Sequence, residues 1–144
     1  MAVGFRVLLV EDDDLDVLNV QRAFRSQPEI EHLTIAHDGV DALEILESGR
    51  LDLERLVLLV DLRMPRMNGL ELLREIRSRP ALRRLPVVML TTSADEHDRA
   101  EAFEAHVAGY LLKPLDGTAF RECIRRFAEY WARTEYPPAV RESA

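Results

Sequence analysis

The chain has 144 residues, 47% hydrophobic and 31% charged, with a net charge of −7 and a single cysteine, Cys123. That length suits one domain around one core, which buries roughly 68–70% of the unfolded surface and needs no disulfide. One cysteine excludes an intramolecular disulfide and any multi-cysteine metal site, and the acidic balance opposes nucleic acid and anionic membrane as partners.

The start, MAVGFRVLLVEDDD, is no signal peptide, because its apolar run is short and ends in acids. No apolar run approaches the ~20 residues of a membrane span, so a reducing cytoplasmic setting is expected. Arg6–Val10 (RVLLV) reads as a buried strand. Asp14–Gln27 follows as a helix with a stripe of Val17, Val20 and Phe24, closed by Pro28. His32–Ala36 (HLTIA) is shorter and more polar, as at a sheet edge, and Gly39–Leu46 is a helix carrying Ala42, Leu43 and Leu46. A polar joint, residues 47–55, leads to Leu56–Val60 (LVLLV). Asn68 caps a helix holding Leu70, Leu73 and Ile76, which ends before Pro80. Val87–Leu90 (VVML) is again continuous and apolar, as in a central parallel strand covered on both faces. Ser93 and Glu96 read as a capping box for a helix with a stripe of Ala100, Phe103 and Val107. Gly109–Leu112 (GYLL) is the fifth strand, and Asp116 caps a last helix with Phe120, Ile124, Phe127 and Trp131.

The alternation gives a doubly wound α/β unit, (βα)5, with a parallel five-stranded sheet and helices on both faces. The expected division is a domain over residues 1–131 and a tail over 132–144, too short for an output domain. In such sheets ligands bind beyond the carboxyl ends of the strands. The polar residues there are Glu11-Asp12-Asp13-Asp14, then Asp61, then Thr91-Thr92-Ser93, then Lys113-Pro114. Asp61 is notable because a carboxylate ending a buried strand is costly to desolvate unless something compensates it.

If the strand order is 2-1-3-4-5, Glu11, Asp12 and Asp61 crowd one pocket. Like charges there repel, and a hard divalent cation removes the conflict; oxygen ligands in small number suit Mg2+. A hydroxyl, Thr91, and an ammonium, Lys113, on the flanking strand ends would hold an oxyanion. Together these groups describe phosphoryl transfer onto an aspartate.

LVEDD, VDLRMPRMNG, PVVMLTTS and YLLKP, in this order and spacing, resemble the receiver domain of two-component response regulators over about residues 5–130. The resemblance implies the flavodoxin-like receiver fold, strand order 2-1-3-4-5. It implies Asp61 as phosphoacceptor and Mg2+ or Mn2+ held by Asp12, Glu11, Asp61 and the backbone carbonyl of Arg63. Thr91 and Lys113 would bind the phosphoryl group. Thr91 and Tyr110 would form the switch, Tyr110 turning inward as Thr91 moves, and Pro114 would follow a cis bond. The family's donor is a histidine kinase phosphohistidine, and the domain itself would supply the transfer and hydrolysis chemistry; onward relay to a histidine phosphotransfer protein stays open. Arg63 is large and cationic where many relatives carry smaller polar residues, and it is expected to shield the acyl phosphate or to pair with Glu11.

HVAGYLLKP and EYWARTEYPP resemble stand-alone regulators paired with phytochrome-type histidine kinases, which implies a bacteriophytochrome partner and a homodimer. Trp131, Tyr136 and Val140 either fold back on their own domain or serve a dimer or kinase contact, and Pro137-Pro138 forbids helix there. His32, His37, His97 and His106 lack metal-ligand spacing, and Cys123 reads as a small core residue. Three rival readings remain. A haloacid dehalogenase-type phosphatase needs a second aspartate where Arg63 stands. A flavin binder needs a hydroxyl- and glycine-rich loop where EDDD stands. A pure interaction module would have no use for the full acid, threonine and lysine set.

Overall fold

The computed structural model describes residues 3–138 and 140; residues 1–2 and, within the expected tail, 139 and 141–144 lie outside the described residues. Ten elements alternate along the chain: β1 (Phe5–Val10), α1 (Asp14–Phe24), β2 (Ile30–Ala36), α2 (Gly39–Glu47), β3 (Leu56–Val60), α3 (Gly69–Ser78), β4 (Val87–Thr91), α4 (Glu96–Glu104), β5 (Gly109–Leu112) and α5 (Gly117–Arg133). All four strand pairings are parallel, in the order β2-β1-β3-β4-β5. This is the doubly wound receiver-type sheet expected.

The continuous apolar runs have a simple cause. Successive strand side chains point to opposite faces, and both faces are covered. Leu8, Val10, Leu58, Val60, Val87 and Met89 pack with α2 and α3. Val7, Leu9, Val57, Leu59, Val88 and Leu90 pack with α1 and α5. β2, at the edge, is only partly buried, as its mixed sequence requires.

The register matters for function. Val10 pairs with Ala36 and Val60, Val60 with Met89, and Met89 with Tyr110. β1, β2 and β3 therefore end at one level while β4 and β5 run two residues further, and the residues just beyond β1 and β3 emerge side by side; the Asp61 amide donates to the Val10 carbonyl at 3.0 Å. Gly69 permits the close return of α3: a Cβ there would lie 2.3 Å from the Asp61 carbonyl oxygen.

Several local expectations need correction. α1 ends at Phe24 rather than Gln27. Ser93 does not cap α4. Asp95 does, accepting from the amides of His97 and Asp98, because it stands immediately before the helix while the Ser93 hydroxyl is engaged by Asp98. That start sets the helical phase, so Ala102 is buried while Ala100 and Phe103 are exposed; Val107 is buried but lies beyond the helix. Cys123 is half-buried rather than in the core. The Asn68 and Asp116 caps form as expected, the first as a full capping box with Glu71.

The described part of the tail lies against its own domain. The Tyr136 hydroxyl donates to the Trp131 carbonyl at 2.9 Å. The Arg55 guanidinium lies 4.6 Å from the centre of the Tyr136 ring, a favourable cation–π placement. Among the described residues no helix is long and apolar enough to cross a membrane.

Candidate functional site

β1 delivers Glu11 into the sheet interior, where it is 2% exposed. Asp12 follows on the surface, and Asp13 caps α1 by accepting from the amides of Leu15 and Asp16. β3 delivers Asp61, whose side chain is 12% exposed. One carboxylate oxygen from each of Glu11, Asp12 and Asp61 lies within 4.8 Å of the other two. The three predicted acids therefore meet, though 50 residues separate the first from the last.

Lys113, just past β5, crosses to them. Its ammonium lies 2.6 Å from Glu11 Oε1, 2.8 Å from Asp16 Oδ2 and 3.4 Å from Asp61 Oδ2. Its amide donates to the Thr91 carbonyl at 2.8 Å, so the β4–β5 ladder extends to the lysine itself. The expected cis bond before Pro114 is absent: no peptide bond is cis among the described residues. The trans isomer is the default even before proline, and with it the lysine still reaches the acids.

Asp16 was not singled out in the sequence. Its signal was there: Asp12 and Asp16 are four apart, with Asp13 capping the helix between them. That places Asp16 on the first turn of α1, near the strand ends.

The electrostatics are strained in one direction. Burial is the largest influence on Glu11 and raises it; the hydrogen bond from Lys113 opposes this, and the charge of Asp61 adds to it, leaving Glu11 at about 7. Burial depresses Lys113, but hydrogen bonds to Asp16 and Glu11 and the charges of Glu11 and Asp61 outweigh it, so its pKa stands above the ordinary lysine value. One ammonium thus serves three carboxylates, with Asp12 beside them. An all-oxygen donor set with a charge deficit fits a hard divalent cation such as Mg2+ or Mn2+.

Thr91 is fully buried at the end of β4, and its Oγ1 accepts from the Ser93 amide at 3.2 Å. Tyr110 is half-buried against the core, and its hydroxyl donates to the Ser93 carbonyl at 2.9 Å. The two predicted switch residues are thus bonded to the same residue. Arg63 does not pair with Glu11: its guanidinium reaches across to Asp98 on α4, at 3.1 Å. Glu11 is already bonded to Lys113 deep in the pocket, while Arg63 projects outward from the loop.

That loop has a second tie. Asp38, buried at the start of α2, takes the Arg66 fork at 2.6 and 3.1 Å. The Arg66 hydrogen bond, its largest influence, holds the Asp38 carboxyl below the ordinary aspartate value. Gly39 donates to the Met67 carbonyl at 3.1 Å, fastening the stretch between β3 and α3 to α2.

Comparison with known proteins agrees with this geometry. A family model described as the response regulator receiver domain matches residues 7–125. The chain is 38% identical over 130 residues to a probable methanogenesis regulatory protein, FilR2, of Methanothrix harundinacea, covering 88% of this chain and 83% of that one. It is 34% identical over 141 residues to response regulator Rcp1 of Synechocystis, covering 93% of each. The crystal structure of the Mn2+-bound form of Rcp1 superposes with a TM-score of 0.83 at 33% identity, over 94% of this chain and all of that one. The structure of the phosphorylated cyanobacterial phytochrome response regulator RcpA superposes with a TM-score of 0.86 at 28% identity, over 94% of this chain and all of that one.

Proposed function

This chain belongs to the response regulator receiver family, and from that premise we propose that it takes a phosphoryl group from a histidine kinase onto Asp61 and signals through contacts of its own surface. One observation carries the reading: the Asp61 carboxylate lies within 4.8 Å of oxygens of Glu11 and Asp12 and 3.4 Å from the Lys113 ammonium. The phosphatase alternative finds no support, since Arg63 stands where its second aspartate is required.

In this reading a carboxylate oxygen of Asp61 attacks phosphorus in line with the departing imidazole of the donor, leaving an acyl phosphate on Asp61. Glu11, Asp12, Asp61 and the Arg63 carbonyl would hold Mg2+ or Mn2+, which spreads the negative charge of the transferring phosphoryl group. Lys113 exchanges part of its contact with Glu11 and Asp16 for a phosphoryl oxygen. The Thr91 hydroxyl bonds another. Tyr110 is tied to Thr91 through Ser93, so any change at the hydroxyl reaches the surface of β5. The added charge of about −1.5 to −2 drives the change only as far as it binds one state better than the other.

The domain supplies both the transfer chemistry and the later hydrolysis, so a small acyl-phosphate donor also serves. We place the reaction in the cytoplasm. The likeness to the phytochrome response regulator RcpA supports a phytochrome-type histidine kinase, a bacteriophytochrome, as donor. Residues 1–131 form the receiver and 132–144 a tail that adds to a homodimer contact; a histidine phosphotransfer protein is a candidate onward acceptor.

The deciding experiment is labelling with a small acyl phosphate, read by intact mass. Wild type gains one phosphoryl group with Mg2+ present and Asp61→Asn gains none. Stoichiometric labelling of Asp61→Asn refutes the reading. Sedimentation with and without the donor tests the homodimer, and the phospho-dependent shift should vanish in Lys113→Ala.

A further inference from the structure

Ser93 carries an unusual number of bonds for a loop residue. Its amide holds Thr91 Oγ1 at 3.2 Å and its carbonyl accepts from the Tyr110 hydroxyl at 2.9 Å. Its own hydroxyl donates to Asp98 Oδ2 at 2.7 Å and accepts from the Asp95 amide at 3.3 Å. The same Asp98 oxygen accepts from Arg63 Nη2 at 3.1 Å. Arg63 lies two residues past Asp61. A continuous path therefore leaves the loop after Asp61, crosses to the first turn of α4, and returns through Ser93 to Thr91 and Tyr110.

We propose that Ser93, Asp98 and Arg63 form a positioning relay that fixes the turn between β4 and α4, and so sets how firmly Tyr110 is held in its half-buried position. None of the three touches the transferring group through this relay; they act through Thr91 and Tyr110. The proposal rests on the phosphoacceptor reading above for its consequence, but not for its geometry. The Ser93 hydroxyl is worth more here than a surface ion pair, because it ties to α4 the residue whose amide and carbonyl bond Thr91 and Tyr110. Asp98 is 23% exposed and Arg63 73% exposed. The Ser93–Asp98 bond therefore carries the larger share and the Arg63 pair the smaller.

The relay explains two otherwise separate facts. Asp98 sits in the first turn of α4, where an acid is favoured in any case, yet it turns toward Ser93 and Arg63 rather than to solvent. Arg63 reaches outward to Asp98 instead of inward to Glu11. Both follow if the loop must be pinned from its outer side as well as by Thr91 within.

The test uses the full chain in two arms. In the first, without metal or phosphoryl analogue, the ring resonances of Tyr110 and the exchange rate of the Ser93 amide are read by NMR. Ser93→Ala and Asp98→Ala each move the Tyr110 ring toward solvent and speed Ser93 amide exchange by about three- to tenfold, as loss of one hydrogen bond implies. Asp98→Asn and Arg63→Ala have smaller effects, about twofold. Ser93→Thr keeps the hydroxyl and restores the wild-type signals. The double variant Ser93→Ala/Asp98→Ala does no more than Ser93→Ala alone, since Asp98 acts through the hydroxyl already removed. In the second arm, beryllofluoride with Mg2+ is titrated, and the midpoint rises about three- to tenfold in the same two variants.

Unmoved Tyr110 ring signals in both Ser93→Ala and Asp98→Ala, or additive effects in the double variant, overturn the relay. Beryllofluoride binding that survives Asp61→Asn overturns the phosphoacceptor reading instead, and the first arm still decides the relay.

Discussion

α4 and α5 are consecutive helices on opposite faces of the sheet, and they are held to it by different forces. α5 buries Ile124, Phe127, Ala128, Trp131 and Ala132. Phe127 lies 6.3 Å from Phe5, 6.3 Å from Phe24 in a stacked pair, and 6.4 Å from Trp131, spacings at which aromatic pairs attract beyond simple burial. α4 buries Ala102 alone. It is held by its Asp95 cap and by ion pairs of Arg63 with Asp98 and Arg74 with Glu101, each with an exposed arginine. Such pairs are worth about 0–1 kcal/mol. The element beside the switch loop is thus the one that can move at small cost, while its neighbour is fixed by dispersion and apolar burial. Regions that reorganise are drawn from the thinly packed part of a fold.

The most direct way to break this contrast is to remove the aromatic anchor. Phe127→Ala should cost about 3–5 kcal/mol, the usual loss for a buried phenylalanine, measured by urea unfolding. A loss below about 1 kcal/mol would mean that α5 is not packed as described. The acid pocket should remain assembled in the native fraction, because Lys113 precedes α5 and is tied by its own amide to β4.

The second anchor on the α1 and α5 side is ionic, and pH tests it. Glu11 titrates near 7 in the fold against an ordinary 4.5. Between those values the native state holds a proton that the unfolded chain has released. Stability of the metal-free protein therefore falls as pH rises from about 4.5 to about 7, by on the order of 3 kcal/mol. Mg2+ should reverse the loss, most strongly above pH 7, where Glu11 is ionised without competition from protons. Thermal unfolding at three pH values, with and without Mg2+, reads both effects. Stability that rises over this window in metal-free protein would remove Glu11 from the buried pocket. Glu11→Gln should flatten the profile.

A smaller change addresses α4 alone. Asp95 accepts from the amides of His97 and Asp98, and Asp95→Ala should cost about 1 kcal/mol, as cap deletions do. Amide exchange should quicken throughout α4 and stay unchanged in α5. Equal quickening in both helices would show that they open as one unit, and the distinction drawn between them would fail.

The two regions also differ in how plainly the sequence announces them. α5 carries its apolar stripe at helical spacing over 17 residues, so Ile124, Phe127 and Trp131 are legible before any coordinates. The site acids were legible for a related reason: a carboxylate closing a run such as LVLLV has to be compensated. α4 is short, and its buried face is a single alanine, too small to mark a phase. The larger Phe103 suggested a stripe that is in fact turned to solvent. Ser93 offered a capping pattern, but Asp95 lay nearer the helix start and won. The contacts hardest to foresee were those between side chains remote in sequence. Lys113 to Asp16 and Arg63 to Asp98 depend on the direction each loop takes after its strand, which periodicity does not encode. The trans bond before Pro114 belongs with them, since a dipeptide alone leaves both isomers within about 1 kcal/mol.

Phe103 gives the smallest and sharpest test. A phenylalanine on a helix stripe would be a core residue, and its truncation would cost several kcal/mol. Here it is 52% exposed, on a helix whose one buried residue is Ala102. Phe103→Ala should therefore change unfolding stability by no more than about 0.5 kcal/mol, with alanine's better helix propensity offsetting part of the lost contact. Ala102→Leu, one residue away, should cost about 1–3 kcal/mol, because it overpacks the only place where α4 meets the core. The pair isolates the phase of the helix from its composition: neighbouring positions, opposite sensitivities. If Phe103→Ala proves the more damaging of the two, α4 is rotated from the position described, and with it the contacts of Asp98 that reach Ser93 and Arg63.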